Sequence, residues 1–345
     1  MSGVVGWDIG GVNTKLARVV HGEVVDVQAR AFEIQRHPGA LRALLEEMAR
    51  ASGAGTGDAH AVTMTAELSQ AFRTKREGVT FVLDHVVAAF PDALVRVHAV
   101  DGRFVEPATA RGTPLAVAAS NWAATASVVA QSWPDAVLID VGSTTTDITP
   151  IIAGAVAARG RSDPERLREN ELVYSGALRT PAEAIAPTVP LPGGLTGVAA
   201  EGFALAGDVH LWRGQLSADD YSVPTPDGRP ATREFAGERL ARVVCADREM
   251  LDDEAIDAIA DGLWEAQVDR IARAVACNVR RHASLERATA IVTGLGDFLA
   301  AAAANRAGLP VIRLSEHWGR AARHAAAVAV ALLLAAKLET EITRR

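Results

Sequence analysis

Cysteine is nearly absent: Cys245 and Cys277 are the only two, and they share no CxxC spacing. That excludes a disulfide framework and a thiolate zinc site, and leaves two thiols expected to be buried in a reducing cytoplasm. Basic charge is in deficit. Lys and Arg number 35 against 42 Asp and Glu, a formal net charge of -7, and the cations are scattered, so there is no footprint for a polyanion and no nucleic-acid partner is expected. The nine histidines form no HExxH or related spacing, which gives His210, near Asp208 and Trp212, a structural reading over a ligand's. Long apolar runs are missing too: residues 325–336 are too few for a bilayer and follow Arg323 and His324, so they read as a buried helix. The N-terminus enters a strand pattern at once, without a basic region, apolar run and cleavage site. Neither export nor a membrane is expected, and the expected location is the cytoplasm. No GxxxxGK[ST] loop occurs, and Gly294-x-Gly296 lacks the third glycine of a dinucleotide fingerprint.

The chain has 345 residues, 49% hydrophobic and 22% charged, an ordinary folding composition with enough length for two lobes. Apolar runs and turn residues predict strands at 3–8, 59–65 and 94–100, a hairpin turned at Gly22, and helices at 38–51 and 75–90. An Ala-rich helix at 114–133 starts on Pro114 and stops at Pro134, with Trp122 and Trp133 as core residues. Strands at 136–141 and 146–152 come next. Residues 154–232 hold Pro181, Pro187, Pro190, Pro192, Pro224, Pro226 and Pro230 and read as a loop-rich insertion shaping a substrate site. Helices at 234–246 and 252–282, a strand at 288–293, a helix to Arg306, a strand at 309–314 and a long last helix follow. The class is α/β. One lobe is expected at 1–134, completed by a helix at 316–345, and the other at 135–315.

One device appears twice. Asp8-Ile-Gly-Gly-Val-Asn-Thr-Lys15 and Asp140-Val-Gly-Ser-Thr-Thr-Thr-Asp147 each close an apolar strand with an Asp, a Gly-containing polar loop and a second strand. Gly10 and Gly11 let backbone N–H groups approach an anion, and Asn13, Thr14 and Lys15 add side-chain donors. Gly142, Ser143, Thr144 and Thr145 offer a second ring of donors between two carboxylates. Asp8, at its strand end, is placed to hold Mg²⁺ through water, with Asp140 its counterpart. One copy is no more than a polar hairpin turn. Two copies, followed by Val292-Thr-Gly-Leu-Gly296 after a late strand, point to a phosphate cleft, with Gly294 and Gly296 in a third loop. This set resembles the acetate and sugar kinase, heat-shock chaperone and actin superfamily, whose implied fold is a two-lobed, duplicated ribonuclease H-like, actin-like architecture.

A narrower resemblance covers nearly the whole chain. Met64-Thr-Ala-Glu-Leu68, Thr74-Lys-Arg-Glu-Gly78, Ser120-Asn-Trp122, Leu172-Val-Tyr174 with Leu178-Arg-Thr-Pro181, Thr225-Pro-Asp-Gly228 and Cys245-Ala-Asp-Arg-Glu-Met250 resemble, in order, segments of the hydantoinase/oxoprolinase-like proteins of tetrahydromethanopterin-linked one-carbon transfer, which include furan-methanamine synthases of methanofuran and methylofuran biosynthesis. The resemblance implies alkyl transfer. A (5-aminomethyl-furanyl)methyl diphosphate would react with the phenol of a tyramine or tyrosine derivative, giving an aryl ether and diphosphate, with ATP not consumed. Donors of the loops, Lys15 and a divalent ion would then stabilise the leaving group. The base is left open among Asp140, Asp147 and Glu67, and Asn121 and Arg179 are substrate-binding candidates, Arg179 for a carboxylate. Glu67 and Arg179 also have a plain reading as solvated or salt-bridged loop residues. Other classes stay in view: an ATP-dependent kinase or ATPase, an amide-ring hydrolase, and a nucleotide-gated scaffold.

Overall fold

The computed structural model describes residues 3–343. It divides into two compact units, one made of residues 1–136, 149–168 and 314–345, the other of 137–148 and 169–313. The sequence places residues 149–168 in the second lobe; by their packing they belong to the first unit.

The first unit is built on strands β1 (Val4–Ile9), β2 (Asn13–Val20), β3 (Glu23–Ala31), β4 (Ala59–Met64), β5 (Val95–His98) and β6 (Phe104–Val105), ordered β3-β2-β1-β4-β5-β6. β1, β2 and β3 pair antiparallel, while β4 runs parallel to β1 and β5 parallel to β4. All six residues of β1 are buried, because both faces are covered. The alternation of side chains along a strand sends Val5, Trp7 and Ile9 into a core with Leu41, Leu45 and Met48 of the helix Leu41–Ala51 and Val79 and Leu83 of the helix Lys75–Ala89. On the other face lies the helix Ala325–Thr343, whose Val330, Ala331 and Leu334 pack with Val4. Gly6 is what lets this helix approach: a Cβ there would stand 2.0 Å from the Ala327 carbonyl oxygen. The helix expected at 316–345 is built as Ser315–Trp318, a 3-10 turn at Gly319–His324 and Ala325–Thr343; by length and composition alone the stretch Ser315–Glu341 is able to cross a membrane, but half of its most apolar window is buried in the protein.

The second sheet uses β7 (Ala136–Val141), β8 (Thr146–Ile152), β9 (Ala155–Val156), β10 (Leu172–Val173), β13 (Thr289–Thr293) and β14 (Val311–Arg313), with β11 (Thr188–Leu191) and β12 (Gly194–Gly197) forming a separate hairpin. Its order is β10-β8-β7-β13-β14, with β9 on β8. With the two-residue strands β6 and β9 left aside and the rest numbered within each sheet, both paths run third, second, first, fourth, fifth. The fold is α/β with this ribonuclease H-like order duplicated, the actin-like architecture the paired loops imply. The 28-residue helix Asp253–Arg280 carries the core of the second unit through Ile256, Leu263, Val268 and Ile271.

Several elements depart from expectation. The helix read across 114–133 is broken into Pro114–Val117 and Asn121–Ser132, and a further short helix, Pro107–Gly112, precedes it. The break at Ala119 (φ 49°) lets the buried Ser120 hydroxyl donate to the His98 carbonyl and meet Thr63 Oγ1 at 2.9 Å. Trp122 is buried, but under the Arg166 guanidinium at 3.9 Å, and Trp133 is half-buried against His317. The Pro-rich stretch 154–232 is ordered, with the β11–β12 hairpin and short helices at Asp163–Arg168, Ala182–Ile185 and Ala206–Trp212. Cys245 is exposed and Cys277 half-buried, so neither thiol is sunk in a core.

Candidate functional site

The two loops share their hydrogen bonding. In the first, Gly10 N–H donates to the Asn13 carbonyl at 2.9 Å; in the second, Gly142 N–H donates to the Thr145 carbonyl at 2.9 Å. Each loop is also held from behind by the chain that follows the third strand of its sheet. Ile34 and Phe32 N–H groups donate to the Gly11 and Val12 carbonyls, and Ala177, Leu178 and Arg179 N–H groups donate to the Gly142 and Ser143 carbonyls. A trans peptide directs C=O and N–H oppositely, so a carbonyl tied backwards turns the next residue's N–H forwards. Both loops are thus built to present amides, an arrangement that attracts anions.

In the first unit, Asp8 and Lys15 are register partners across β1 and β2, with Nζ 4.0 Å from Oδ2. Asn13 and Lys15 are partly exposed on β2, whereas Thr14 between them is fully buried and its Oγ1 has no partner among the described residues. The expected phosphate donor Thr14 therefore points into the core. The turn Ala66–Leu68 follows β4 and abuts the loop: Thr65 N–H donates to the Ile9 carbonyl, and a Cβ on Gly10 would lie 3.4 Å from Thr65 Oγ1. Glu67 sits in this turn, not on a strand end, and is 2% exposed.

Lys75, at the start of its helix, bridges two carboxylates, with Nζ 3.4 Å from Glu67 Oε1 and 2.5 Å from Asp163 Oδ2. Burial pushes the Glu67 carboxyl up to about 7, against the pull of the Lys75 ammonium. Burial works against the Lys75 charge as well, but its hydrogen bond to Asp163 and the charge of Glu67 more than offset it and raise that group above its ordinary value. Glu67 Oε2 is buried with no hydrogen-bond partner among the described residues. Asn121, the other candidate of this unit, is half-exposed at the start of its helix, just after Ala118, which bridges to Met64 at the end of β4.

In the second unit, Asp140 lies at the end of β7 and Asp147 on β8, Asp147 being 8% exposed and paired in register with Leu172. Ser143, Thr144 and Thr145 are partly exposed, and Ser143 Oγ lies 3.5 Å from Thr144 Oγ1. Gly294, at φ 94°, packs so closely that a Cβ would meet Val141 O at 2.3 Å and Asp140 Oδ1 at 2.4 Å. Gly296 spends its N–H on the Val141 carbonyl at 2.9 Å. The third loop is therefore a close brace on the end of β7, and Gly296 N–H is not a phosphate donor. Arg179 is exposed, while its backbone is fastened to Ser143.

Lys75, beyond its place in a quoted segment, and Asp163 are the functional candidates that sequence reasoning missed. They are 88 positions apart, and no local spacing signals a pairing across that distance. A divalent ion fits the donor chemistry. Mg²⁺ takes one or two carboxylates with phosphate and water oxygens, a role that Asp8 in the first unit and Asp140 in the second each offer singly, and among the described residues no group of three or more His, Cys, Asp or Glu side chains forms a denser ligand set.

Comparison with known proteins agrees with this architecture. The family described as hydantoinase/oxoprolinase matches residues 58–337. Over 295 residues, 85% of this chain and 86% of the relative, the sequence is 37% identical to the (4-{4-[2-(gamma-L-glutamylamino)ethyl]phenoxymethyl}furan-2-yl)methanamine synthase of Methanocaldococcus jannaschii. A synthase of the same name from Methanococcus vannielii is 38% identical over 162 residues, 47% of this chain and 71% of that protein. Among solved structures, nucleotide-free acetone carboxylase superposes with a TM-score of 0.57 at 12% identity, covering 95% of this chain and 70% of that one, a likeness of fold. With the family match spanning most of its length and this identity to a synthase, the chain is an enzyme of the hydantoinase/oxoprolinase family.

Proposed function

We propose that the enzyme joins a (5-aminomethyl-furanyl)methyl diphosphate to the phenol of a γ-glutamyltyramine-type acceptor, releasing diphosphate, as a step in assembling a methanofuran-type cofactor. The observation that carries this reading is the 37% identity over 295 residues to the M. jannaschii synthase, whose name describes a phenoxymethyl-furan product. The two amide-presenting loops support it chemically, since a diphosphate is the leaving group such loops suit.

In this reaction the bond between the furfuryl methylene and the diphosphate oxygen breaks, and its electron pair leaves with the diphosphate. The electron-rich furan shares the positive charge left on the methylene, and the phenol oxygen forms the new bond. Each loop brings its own donors, the amides with the Asn13 side chain and Lys15 in the first unit and the amides with the Ser143, Thr144 and Thr145 hydroxyls in the second, and donors of this kind gain interaction energy as charge develops on a phosphoryl leaving group, which favours the transition state over the ground state. Asp8 and Asp140 are each a carboxylate that would hold Mg²⁺, which would supply further charge neutralisation on the diphosphate.

A phenol with a reference value of about 10 needs a base near neutrality. Burial raises Glu67 to about 7, which suits it to that role. Its side chain is 1% exposed and that of Lys75 21%, so Lys75 is the group that reaches the acceptor and relays the phenol proton to Glu67. Asp163 keeps Lys75 paired as Glu67 becomes neutral. Arg179, exposed and mounted on loop 2 through its backbone, pairs with the glutamyl carboxylate, and Asn121 hydrogen-bonds the acceptor.

The test is to incubate the purified chain with the furfuryl diphosphate, γ-glutamyltyramine and Mg²⁺, without ATP. An ether of the condensed mass, formed one-for-one with diphosphate, is expected. Diphosphate release without ether would sink the transferase, and an absolute need for ATP would move the enzyme to the kinases.

A further inference from the structure

Behind loop 2 lies a buried polar lock that no step above uses. Residues 175–178 are all buried, between the exposed Tyr174 and the exposed Arg179. This strap touches the loop at backbone distance: a Cβ on Gly176 would stand 2.6 Å from Thr144 N and 2.7 Å from Gly142 O. Three successive strap amides, of Ala177, Leu178 and Arg179, hold the Gly142 and Ser143 carbonyls at 2.9–3.0 Å. By peptide geometry, the bonds to those two carbonyls turn the Ser143 and Thr144 N–H groups away from the strap. Among the described residues neither of these amides donates to the protein.

One side chain fixes the strap from its far side. Gln267, 1% exposed in the middle of the helix Asp253–Arg280, donates through Nε2 to Ser175 Oγ and to the Gly176 carbonyl, both at 2.9 Å. Ser175 is further tied by Thr146 Oγ1, which donates to its carbonyl at 2.7 Å, and Gly176 N–H donates to Thr180 Oγ1 at 3.0 Å. Among the described residues no side chain locks the strap of loop 1 in this way; it is anchored by the apolar burial of Ile34. We propose that Gln267 is a positioning residue, which holds the strap so that the Ser143 and Thr144 amides form a preset seat for a phosphoryl group. Its role rests on the reading that loop 2 takes the diphosphate.

The chemistry gives Gln267 variants distinct signatures. Gln267→Leu removes both donors and leaves the Gly176 carbonyl with only the 3.4 Å contact from Thr180 Oγ1. Gln267→Glu keeps the shape but, when ionised, sets a carboxylate oxygen against the Gly176 carbonyl and can only accept from the Ser175 hydroxyl, and it regains one donor when protonated. The experiment pairs backbone amide exchange at residues 177–179 with titration of inorganic pyrophosphate in Mg²⁺ into the folded full chain. In Gln267→Leu these amides should exchange faster and pyrophosphate should bind about 10- to 100-fold more weakly, the loss of one or two buried hydrogen bonds. Gln267→Glu should recover affinity as pH falls, a profile that loose packing alone does not produce, and it also serves if the leucine variant does not fold. Unchanged protection at 177–179 with unchanged pyrophosphate affinity would overturn the positioning role. Failure of the unmutated chain to bind pyrophosphate would overturn the diphosphate reading itself and this inference with it.

Discussion

A carboxyl buried beside an ammonium titrates where two opposing pulls balance, and for Glu67 the balance falls at about 7. If Glu67 is the final proton acceptor, kcat/KM should climb with pH to a plateau above about 7, because only the ionised form accepts the phenol proton. Replacing Glu67 with Gln should abolish that limb and cost about 10²- to 10⁴-fold in rate, the usual contribution of a general base. A pH–rate profile of both proteins checks it, and an unchanged limb in Glu67→Gln would return the role to Asp140 or Asp147. At this scale the sequence was uneven as a guide. Asp8, Gly10, Asp140 and Gly142 are legible because a phosphate loop is a local motif. Lys75 and Asp163 are not, since their meeting is made by tertiary packing. Thr14 misleads for the opposite reason: its residue type fits a phosphate donor, but the alternation of β2 turns it inward between Asn13 and Lys15.

Among elements, β1 and the helix Ala325–Thr343 depend on each other through a single missing side chain. Adding one methyl at Gly6 puts carbon 2.0 Å from Ala327 O and 2.9 Å from the Ala331 methyl, and neither backbone nor methyl can swing aside. Gly6→Ala should therefore destabilise the first unit by about 1–3 kcal/mol or more, as overpacked cores do. Gly39→Ala, where an added Cβ meets nothing within 4 Å, is the matched control and should leave the melting temperature nearly unchanged. Thermal melts of the two variants decide it, and equal melting temperatures would mean the helix does not seat on β1 as described. Most strands and long helices follow from apolar periodicity. The break at 118–120 does not, because it is made by Ser120 hydrogen-bonding the His98 carbonyl, a partner on another element. In the same way the Pro-rich stretch looked irregular because its hairpin and short helices are too brief to show a period.

Across the whole molecule, pH dependence sums over groups that titrate differently when folded. Burial lowers His60, His98 and His210 to about 4 from 6.5. Between about 4 and 6.5 the unfolded chain holds protons on these rings that the folded chain does not, so each makes stability rise with pH, by up to about 1.4 kcal/mol per pH unit per proton. Glu67 has the opposite sign: raised from 4.5 to about 7, it keeps a proton in the folded state, and stability falls with pH across that window. Burial lowers His324 to about 4 as well and raises Asp208, so four rings stand against two carboxyls and leave a net rise. Melting temperature should increase from about pH 4.5 to 6.5, and more steeply in Glu67→Gln, in thermal melts across that range; a flat or falling profile in the unmutated chain would contradict it. The duplication was legible at this scale from the repeated loops, and its ribonuclease H-like order only through the superfamily that those loops resemble, whereas the assignment of residues 149–168 to the first unit depends on packing that no repeat encodes.

The contact between β1 and the helix Ala325–Thr343 also sets an order of events during synthesis. The strand that carries loop 1 leaves the ribosome early, yet the helix covering its second face is translated some three hundred residues later. Residues 137–148 and 169–313, the second unit, are all translated before that helix. A released chain truncated after residue 320 should thus hold a protease-resistant second unit and a first unit whose apolar β1 face is still open, the form in which a chaperone would meet it.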